Sequence, residues 1–261
     1  MKIATWNVNS LAVRLPQVLD WLAANPVDVL CLQELKLLDD KFPVKEIEAA
    51  GYQSAFFGQK TYNGVATLTR KELGSVRNVV KNVSGFADEQ SRVIAVTLDR
   101  PGSELRVVNG YFVNGQEPGS EKFAYKMKWL DGLNAMVKAE MTTYANLILL
   151  GDFNITADDR DSHDPEGLRE TIHHTSEERQ HFQGLLDLGL TDAFRMFEQP
   201  EKSYSWWDYR EFGFRRNRGL RIDHILVSEA LKPRVACCLI DKLPRKNERP
   251  SDHAPVIVEI H

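Results

Sequence analysis

The sequence predicts an α/β fold in which β-sheets are covered by helices, and two observations carry that expectation. Short apolar runs recur along the whole 261-residue chain, each bounded by polar residues. Between them lie segments whose apolar residues repeat with helical spacing. A short bounded apolar run reads as a buried strand, and strands mixed with helices give sheets with helices on their faces.

Strands are expected over residues 2–6, 27–33, 64–69, 93–98, 105–111, 147–150, 221–227 and 255–260. Leu15, Val18, Leu19 and Leu22 predict a first helix, with Pro16 near its start and Asn25-Pro26 as its stop. A longer helix is expected over 120–141, with Phe123, Met127, Leu130 and Val137 close to one face. Thr175-Ser176-Glu177-Glu178 has the form of a capping box, followed by Phe182, Leu185 and Leu186 on the inner face and Gly189 as the end. Residues 156–172 and 209–219 read as long polar loops, which in a compact domain tend to carry function. No Gly/Ser/Pro-rich linker or repeat divides the chain, so a single domain over 1–261 is expected.

A composition of 43% hydrophobic and 27% charged residues is that of an ordinary globular protein. The net charge of -4 means that any surface for nucleic acid must be local. Of three cysteines, Cys31 lies inside an apolar run and Cys237-Cys238 are adjacent, which argues against a disulfide framework and for a reducing cytosol. The N-terminus enters a strand pattern at once, unlike a signal peptide, and no apolar run is long enough to span a bilayer. A cytoplasmic protein without a membrane partner is the expectation.

Four apolar or strand-like runs end in carboxylates: Glu34, Asp152, Asp223 and the pair Asp252-His253. Charges are costly to bury unpaired, so they sit where backbone leaves the core. Four strand ends converging on one acidic pocket would hold a hard cation and perform hydrolysis. Glu34 and Asp252 are the candidate metal ligands, because magnesium needs only one or two carboxylates and keeps several waters. A single carboxylate at a strand end serves equally well as a loop cap or salt-bridge partner.

Asp223 and His253 are candidates for an orienting pair, in which a carboxylate holds one imidazole nitrogen so that the other can act. The remaining histidines, His163, His173, His174, His181, His224 and His261, read as surface or packing residues. Asp152 and Asn154 flank Phe153, so in an extended exit they share one side, and Asn7 and Asn9 repeat that spacing. Tyr111 ends a strand, with Asn114 three residues on. Tyr204-Ser205-Trp206-Trp207-Asp208-Tyr209 precedes Arg215, Arg216, Arg218 and Arg221, a pairing that suits phosphate contact and stacking, or a solvated basic loop beside core tryptophans.

Trp6-Asn7-Val8-Asn9, Leu32-Gln33-Glu34-Leu35-Lys36, Asn63-Gly64-Val65-Ala66, Tyr111 with Asn114, Gly151-Asp152-Phe153-Asn154, Leu220-Arg221-Ile222-Asp223 and Ser251-Asp252-His253-Ala254-Pro255 occur in that order. Together they resemble the exonuclease III family of abasic-site endonucleases, from residue 2 to residue 260. The resemblance implies a four-layer sandwich of two facing mixed β-sheets flanked by helices. It implies a magnesium-dependent phosphodiesterase, with manganese as a substitute, cutting double-stranded DNA 5′ to abasic sites, trimming 3′ ends and digesting from them, and working as a monomer.

By the same resemblance Glu34 binds the metal, with Asn9 and Asp252 near it. Many relatives have aspartate at the position of Asn9. Asp152 positions or deprotonates the attacking water or protonates the leaving oxygen, and Asn154 aligns the water. His253, held by Asp223, contacts the phosphate; Asn7, Tyr111 and Asn114 hold the phosphate or support that group. Trp206, Leu220 and Ile222 line a pocket for the extruded sugar, while Lys122 and Lys126 meet the DNA backbone; Arg215 and Arg216 are expected to contact phosphate from their place after the aromatic run, independently of the resemblance. A phosphatase of the wider superfamily would carry a second catalytic histidine mid-chain, and this chain has none before His163. The alternatives that stay open are a specialised 3′-5′ exonuclease and a non-catalytic nucleic-acid binder.

Overall fold

A computed structural model describes residues 1–100 and 103–261. In chain order the main elements are β1 (Lys2–Asn7), α1 (Leu11–Ala24), β2 (Val29–Gln33), α2 (Val44–Ala49), β3 (Tyr52–Phe57), β4 (Val65–Arg70), β5 (Val76–Lys81), β6 (Val93–Arg100) and β7 (Ser103–Tyr111). There follow α3 (Glu121–Thr143), β8 (Leu147–Asp152), α4 (Ser176–Asp187), β9 (Leu190–Asp192), β10 (Trp206–Trp207), β11 (Gly219–Leu220), β12 (Asp223–Ser228), β13 (Val235–Ile240) and β14 (Val256–Ile260).

Two six-stranded sheets form, ordered β13-β14-β1-β2-β4-β3 and β5-β6-β7-β8-β12-β9, with β10 and β11 as a separate ribbon. Ile3, Val29, Cys31 and Val258 of the first sheet meet Ile94, Val107, Ile148 and Ile225 of the second in one buried cluster. Alternate residues point the other way. Ala4, Leu30, Leu32 and Leu68 pack with Val18, Trp21 and Leu22 of α1, and Val108, Leu149 and Leu226 pack with Trp129, Leu133 and Phe182 of α3 and α4. The expected layering of helix, sheet, sheet and helix is therefore present. It explains why β2 and β8 read as unbroken apolar runs: both faces of each are covered.

Gln33 and Asn109 stitch the facing sheets together. The Gln33 amide donates to Asn109 Oδ1 at 2.8 Å and to Thr5 Oγ1 at 2.8 Å, and the Asn109 amide donates to Ala66 O at 2.9 Å. At the end of β8, Gly151 lies opposite Gly110 with φ at 142°. A Cβ there would stand 1.9 Å from Gly110 O, so only glycine lets β8 reach Asp152 at this register.

The central strands match the expected ones to within two or three residues at each end. The strands not expected from sequence include β3, β5, β13 and β9, which are the four sheet edges. Edge strands bury one face incompletely, so β5 shows mixed exposure and no apolar run, and β13, although its six residues Val235–Ile240 are all apolar, is only partly buried along its length. The helix expected from Leu15 starts a turn earlier, at Leu11, leaving Pro16 inside it. The capping box forms as expected, with Thr175 and Glu178 exchanging side-chain and backbone hydrogen bonds, and Gly189 follows α4 with φ at 101°. The loop between β8 and α4 is tied down by Asp161, which is buried and pairs with Arg221 and Arg195.

Candidate active site

Strand direction brings the acidic ends together. β7 and β8 run parallel and finish side by side with Tyr111 opposite Asp152, while antiparallel β12 starts there with Asp223 opposite Asp152. From the other sheet, β1 ends at Asn7, β2 runs out to Glu34, and the chain returns through Asp252 and His253 before β14. Glu34 and Asn154 both take left-handed backbone, with φ of 54° and 51°, which turns their side chains back toward the shared mouth.

The hydrogen bonds form one continuous set. The Asn7 amide donates to Glu34 Oε1 at 3.0 Å and to Asp152 Oδ2 at 2.9 Å, spanning the two sheets. His253 Nδ1 lies 2.8 Å from Asp223 Oδ2, and His253 Nε2 lies 3.7 Å from Asp152 Oδ2. The Asn154 N–H donates to Asp152 Oδ1 at 3.0 Å, and the Asn114 amide donates to Asn154 Oδ1 at 3.3 Å. On the rim, Asn9 donates to Asp252 Oδ1 at 3.0 Å and Trp206 Nε1 donates to Asp252 Oδ2 at 2.9 Å. Asn7, Asp152, Asp223 and His253 are all buried.

Burial and charge set the protonation states. Burial lifts the Asp152 carboxyl to about 7 against the opposing pull of His253, with Asp223 adding to the rise. For His253 burial acts downward, but the Asp223 and Asp152 carboxylates outweigh it and lift the imidazole to about 10. Tyr111 is pushed well above the usual phenol range by burial and by Glu34 and Asp152, so its hydroxyl keeps its proton and stays a donor. The site thus holds a carboxylate able to exchange a proton near neutrality, a persistent cation and several neutral donors. That set suits a reaction in which negative charge builds on phosphate oxygens.

Oxygens of Glu34 and Asp152 and a ring nitrogen of His253 lie within 4.8 Å of one another. A protonated imidazole has no free lone pair, which leaves the oxygens as the donors for a cation. Lys36 Nζ lies 2.8 Å from Glu34 Oε2 and is also hydrogen-bonded to Asn9 Oδ1. An all-oxygen set that attracts an ammonium fits a hard divalent ion.

A model of the endonuclease/exonuclease/phosphatase family matches residues 4–253. The chain belongs to that family. Within the endonuclease/exonuclease/phosphatase proteins it falls in the exonuclease III branch and is a nuclease, a phosphoester hydrolase. It is 37% identical over 271 aligned positions to "Exodeoxyribonuclease III" of Haemophilus influenzae, with 99% of each chain covered. Two solved structures of a Neisseria protein superpose with TM-score 0.95, one described as a 3′-5′ exonuclease at 50% identity and one as a 3′ phosphatase bound to product DNA hairpin at 49%; each covers 100% of this chain and 99% of the other. An AP endonuclease from Archaeoglobus fulgidus superposes with TM-score 0.93 at 32% identity, covering 100% and 99%.

Beside the centre opens a cleft of about 530 Å³, lined by Asn114, His173, His174, Trp206, Arg218 and Leu220 among others. Trp206 and Leu220 line this cleft, whereas Ile222 is 2% exposed and is not part of its wall. Lys126 corrects an expectation. It is 0% exposed, its ammonium enclosed by Asn114 O, Asn154 O and Glu178, so it does not face DNA. Arg221 leaves the basic loop in the same way, paired with Asp161 and Asp192 in the core. Lys122, Arg215 and Arg216 are exposed.

Sequence reasoning missed several residues at the site. Lys36 lies two positions past Glu34 and had no assigned part. Ser251 donates to Asn7 O at 2.6 Å and accepts from the His253 N–H at 3.2 Å, holding the two strand ends together. Arg92 sits 5.1 Å from the centre of the Tyr111 ring and donates to Tyr111 O. His173, expected to be surface or packing, stands in the cleft wall. Its Nδ1 lies 2.7 Å from Asn154 O, and burial and Lys126 push the ring down to about 3, so it is neutral. A neutral histidine with one nitrogen fixed is a rigid wall, not a phosphate ligand. No local pattern distinguishes these residues, since each acts through a contact far away in sequence.

Proposed function

We propose that the protein is a metal-dependent DNA-repair nuclease that works chiefly at 3′ termini of duplex DNA, removing 3′ blocking phosphates and 3′ nucleotides, with incision beside abasic sites as a second activity. These reactions share one event: the bond between a 3′ oxygen and phosphorus is hydrolysed, leaving a 3′ hydroxyl. One centre can therefore perform all of them, and the cleft decides what reaches it. The observation that carries the terminal preference is His173, a neutral polar residue that lines the cleft beside Trp206 and Leu220, where the sequence reading expected an apolar wall for an extruded sugar. The Neisseria protein, whose two structures at 49% and 50% identity are described by 3′-end activities, supports the same reading.

In this reading Asp152, kept partly protonated near neutrality by burial, accepts the proton of the attacking water, while the Asn154 N–H on Oδ1 and the Asn7 amide on Oδ2 fix its orientation. The His253 imidazolium, held by Asp223, presents its Nε2 proton to a phosphate oxygen. Tyr111 and Asn114 supply further neutral donors. Glu34, Asn9 and Asp252 are the residues that would hold a divalent ion, and magnesium or manganese bound there supplies neutralisation of charge on the phosphoryl group. Arg215, Arg216 and Lys122 meet the backbone. The protein acts as a single-domain monomer in the cytoplasm.

The test is a labelled duplex with a recessed 3′ end, incubated with magnesium or with EDTA. Magnesium-dependent shortening that leaves 3′ hydroxyl ends is the expected result. Shortening unaffected by EDTA, or none, overturns the reading.

A further inference from the structure

The buried Lys126–Glu178 pair is a cluster that the reaction as described does not use. Lys126 lies within α3, Glu178 in the first turn of α4, and both are 0% exposed. An ammonium has three protons, and here each has an acceptor: Asn114 O at 3.1 Å, Asn154 O at 2.8 Å and the Glu178 carboxylate. Two of those acceptors are carbonyls of residues in the active centre. Glu178 carries the chain of contacts onward, accepting from the His173 N–H at 3.1 Å and from Thr175 N at 3.1 Å and Oγ1 at 2.8 Å.

A buried ion pair is a poor way to gain stability, because apolar residues of the same volume often do as well or better. Its placement points to another benefit. Asn154 sits in left-handed backbone at φ 51°, its carbonyl held between Lys126 and His173, while its N–H holds Asp152 and its side chain meets Asn114. The other loop is equally close: Gly115, at φ 85°, passes so near that a Cβ would stand 2.8 Å from Lys126 Cδ. The stem of Lys126 thus sets the height of one loop and its ammonium sets the height of both.

We propose that Lys126, charge-balanced by Glu178, is a positioning residue for the nuclease reaction, fixing Asn114 and Asn154 through their backbone carbonyls and, through Asn154, the carboxylate of Asp152. This rests on the hydrolase reading given above. Misplacement of a reacting group by about 1 Å costs on the order of a hundredfold in rate.

The test compares wild type, Lys126→Met and the double variant Lys126→Met/Glu178→Gln on a duplex with a 3′ phosphate and magnesium, with thermal melting of each. Lys126→Met leaves Glu178 unpaired in the core and lowers the melting temperature; the double variant carries no uncompensated charge and regains part of that loss, the remainder reflecting hydrogen bonds that Met and Gln cannot make. Positioning requires that kcat stay about ten- to a hundredfold low in the double variant while KM changes less than about threefold. Recovery of kcat together with stability would reduce the pair to a structural role. A rise in KM with kcat preserved would return Lys126 to DNA contact, and either result overturns the proposal. Gly115→Ala, which presses on the same loop without altering charge, lowers kcat at unchanged KM if the proposal holds, and unchanged kcat counts against it. Wild-type protein inert on this duplex would instead sink the functional reading, and the inference with it.

Discussion

Replacing Asp223 by asparagine removes one negative charge while keeping the shape of the residue that holds His253. The distance from His253 Nδ1 to Asp223 Oδ2 is 2.8 Å in a buried site, and the two flanking carboxylates are what lift the imidazole to about 10 against its burial. Loss of one close opposite charge shifts a pKa by about one to three pH units, each worth roughly 1.4 kcal/mol. The sign follows from the charge: the carboxylate favours the imidazolium, so its loss lowers the imidazole pKa. Asp152 remains and still favours the imidazolium, so in Asp223→Asn the imidazole pKa is lowered but not to where burial alone would set it. If the imidazolium is the form that contacts phosphate, kcat of wild type holds up to about pH 10 and declines above it, whereas the variant declines from a lower pH. The assay is single-turnover release of phosphate from a 3′-phosphorylated duplex, run from about pH 6 to 11 with DNA saturating. An alkaline limb that stays near wild type while the plateau drops uniformly would refute the assignment of Asp223 to holding the His253 charge.

The other expectations concern the remaining parts of the site. Asp152 acts as a base, its ionised form is the active one, and its carboxyl is raised to about 7, so the rate climbs with pH up to that value and flattens above it. Asp152→Asn lowers kcat by about 10²–10⁴-fold, the usual contribution of a positioned base, with DNA affinity in a filter-binding assay held within a few-fold. Arg215 and Arg216 are exposed, and replacing both by alanine flattens the slope of log affinity against log salt by about 0.9 for each phosphate they neutralise; an unchanged slope takes the loop out of the interface. His173→Ala empties part of the cleft wall and raises the ratio of abasic-site incision to 3′ trimming, read on one gel with both labelled substrates.

Much of this arrangement was legible in the amino-acid order because burial on both faces writes itself as an unbroken apolar run. β1, β7, β8 and β12 end or begin at Asn7, Tyr111, Asp152 and Asp223, while Glu34 directly follows β2 and His253 stands just before β14, so these residues stood out together. The edge strand β5 was hidden because partial exposure breaks the run, whereas the apolar run of β13 was legible and was passed over. Lys126 was misread for a related reason. The resemblance gave it as a DNA contact, and nothing near it in sequence announces Glu178, which lies across the α3–α4 contact. Arg221 was absorbed into a basic loop by its neighbours in sequence, while its partners Asp161 and Asp192 lie far away along the chain. His173 shows the same limit: its place beside Asn154 depends on how the 156–172 loop folds back, which charge and hydropathy patterns do not encode.

The most direct measurement is a competition in which one tube holds, with magnesium, a duplex ending in a 3′ phosphate and a duplex carrying an internal abasic-site analogue, and kcat/KM is obtained for each. A clear preference for the 3′-phosphate duplex, with both reactions abolished by EDTA and by Asp152→Asn, is the predicted result. Preferred incision at the abasic site would contradict the view that His173, in the cleft wall, disfavours an internal sugar.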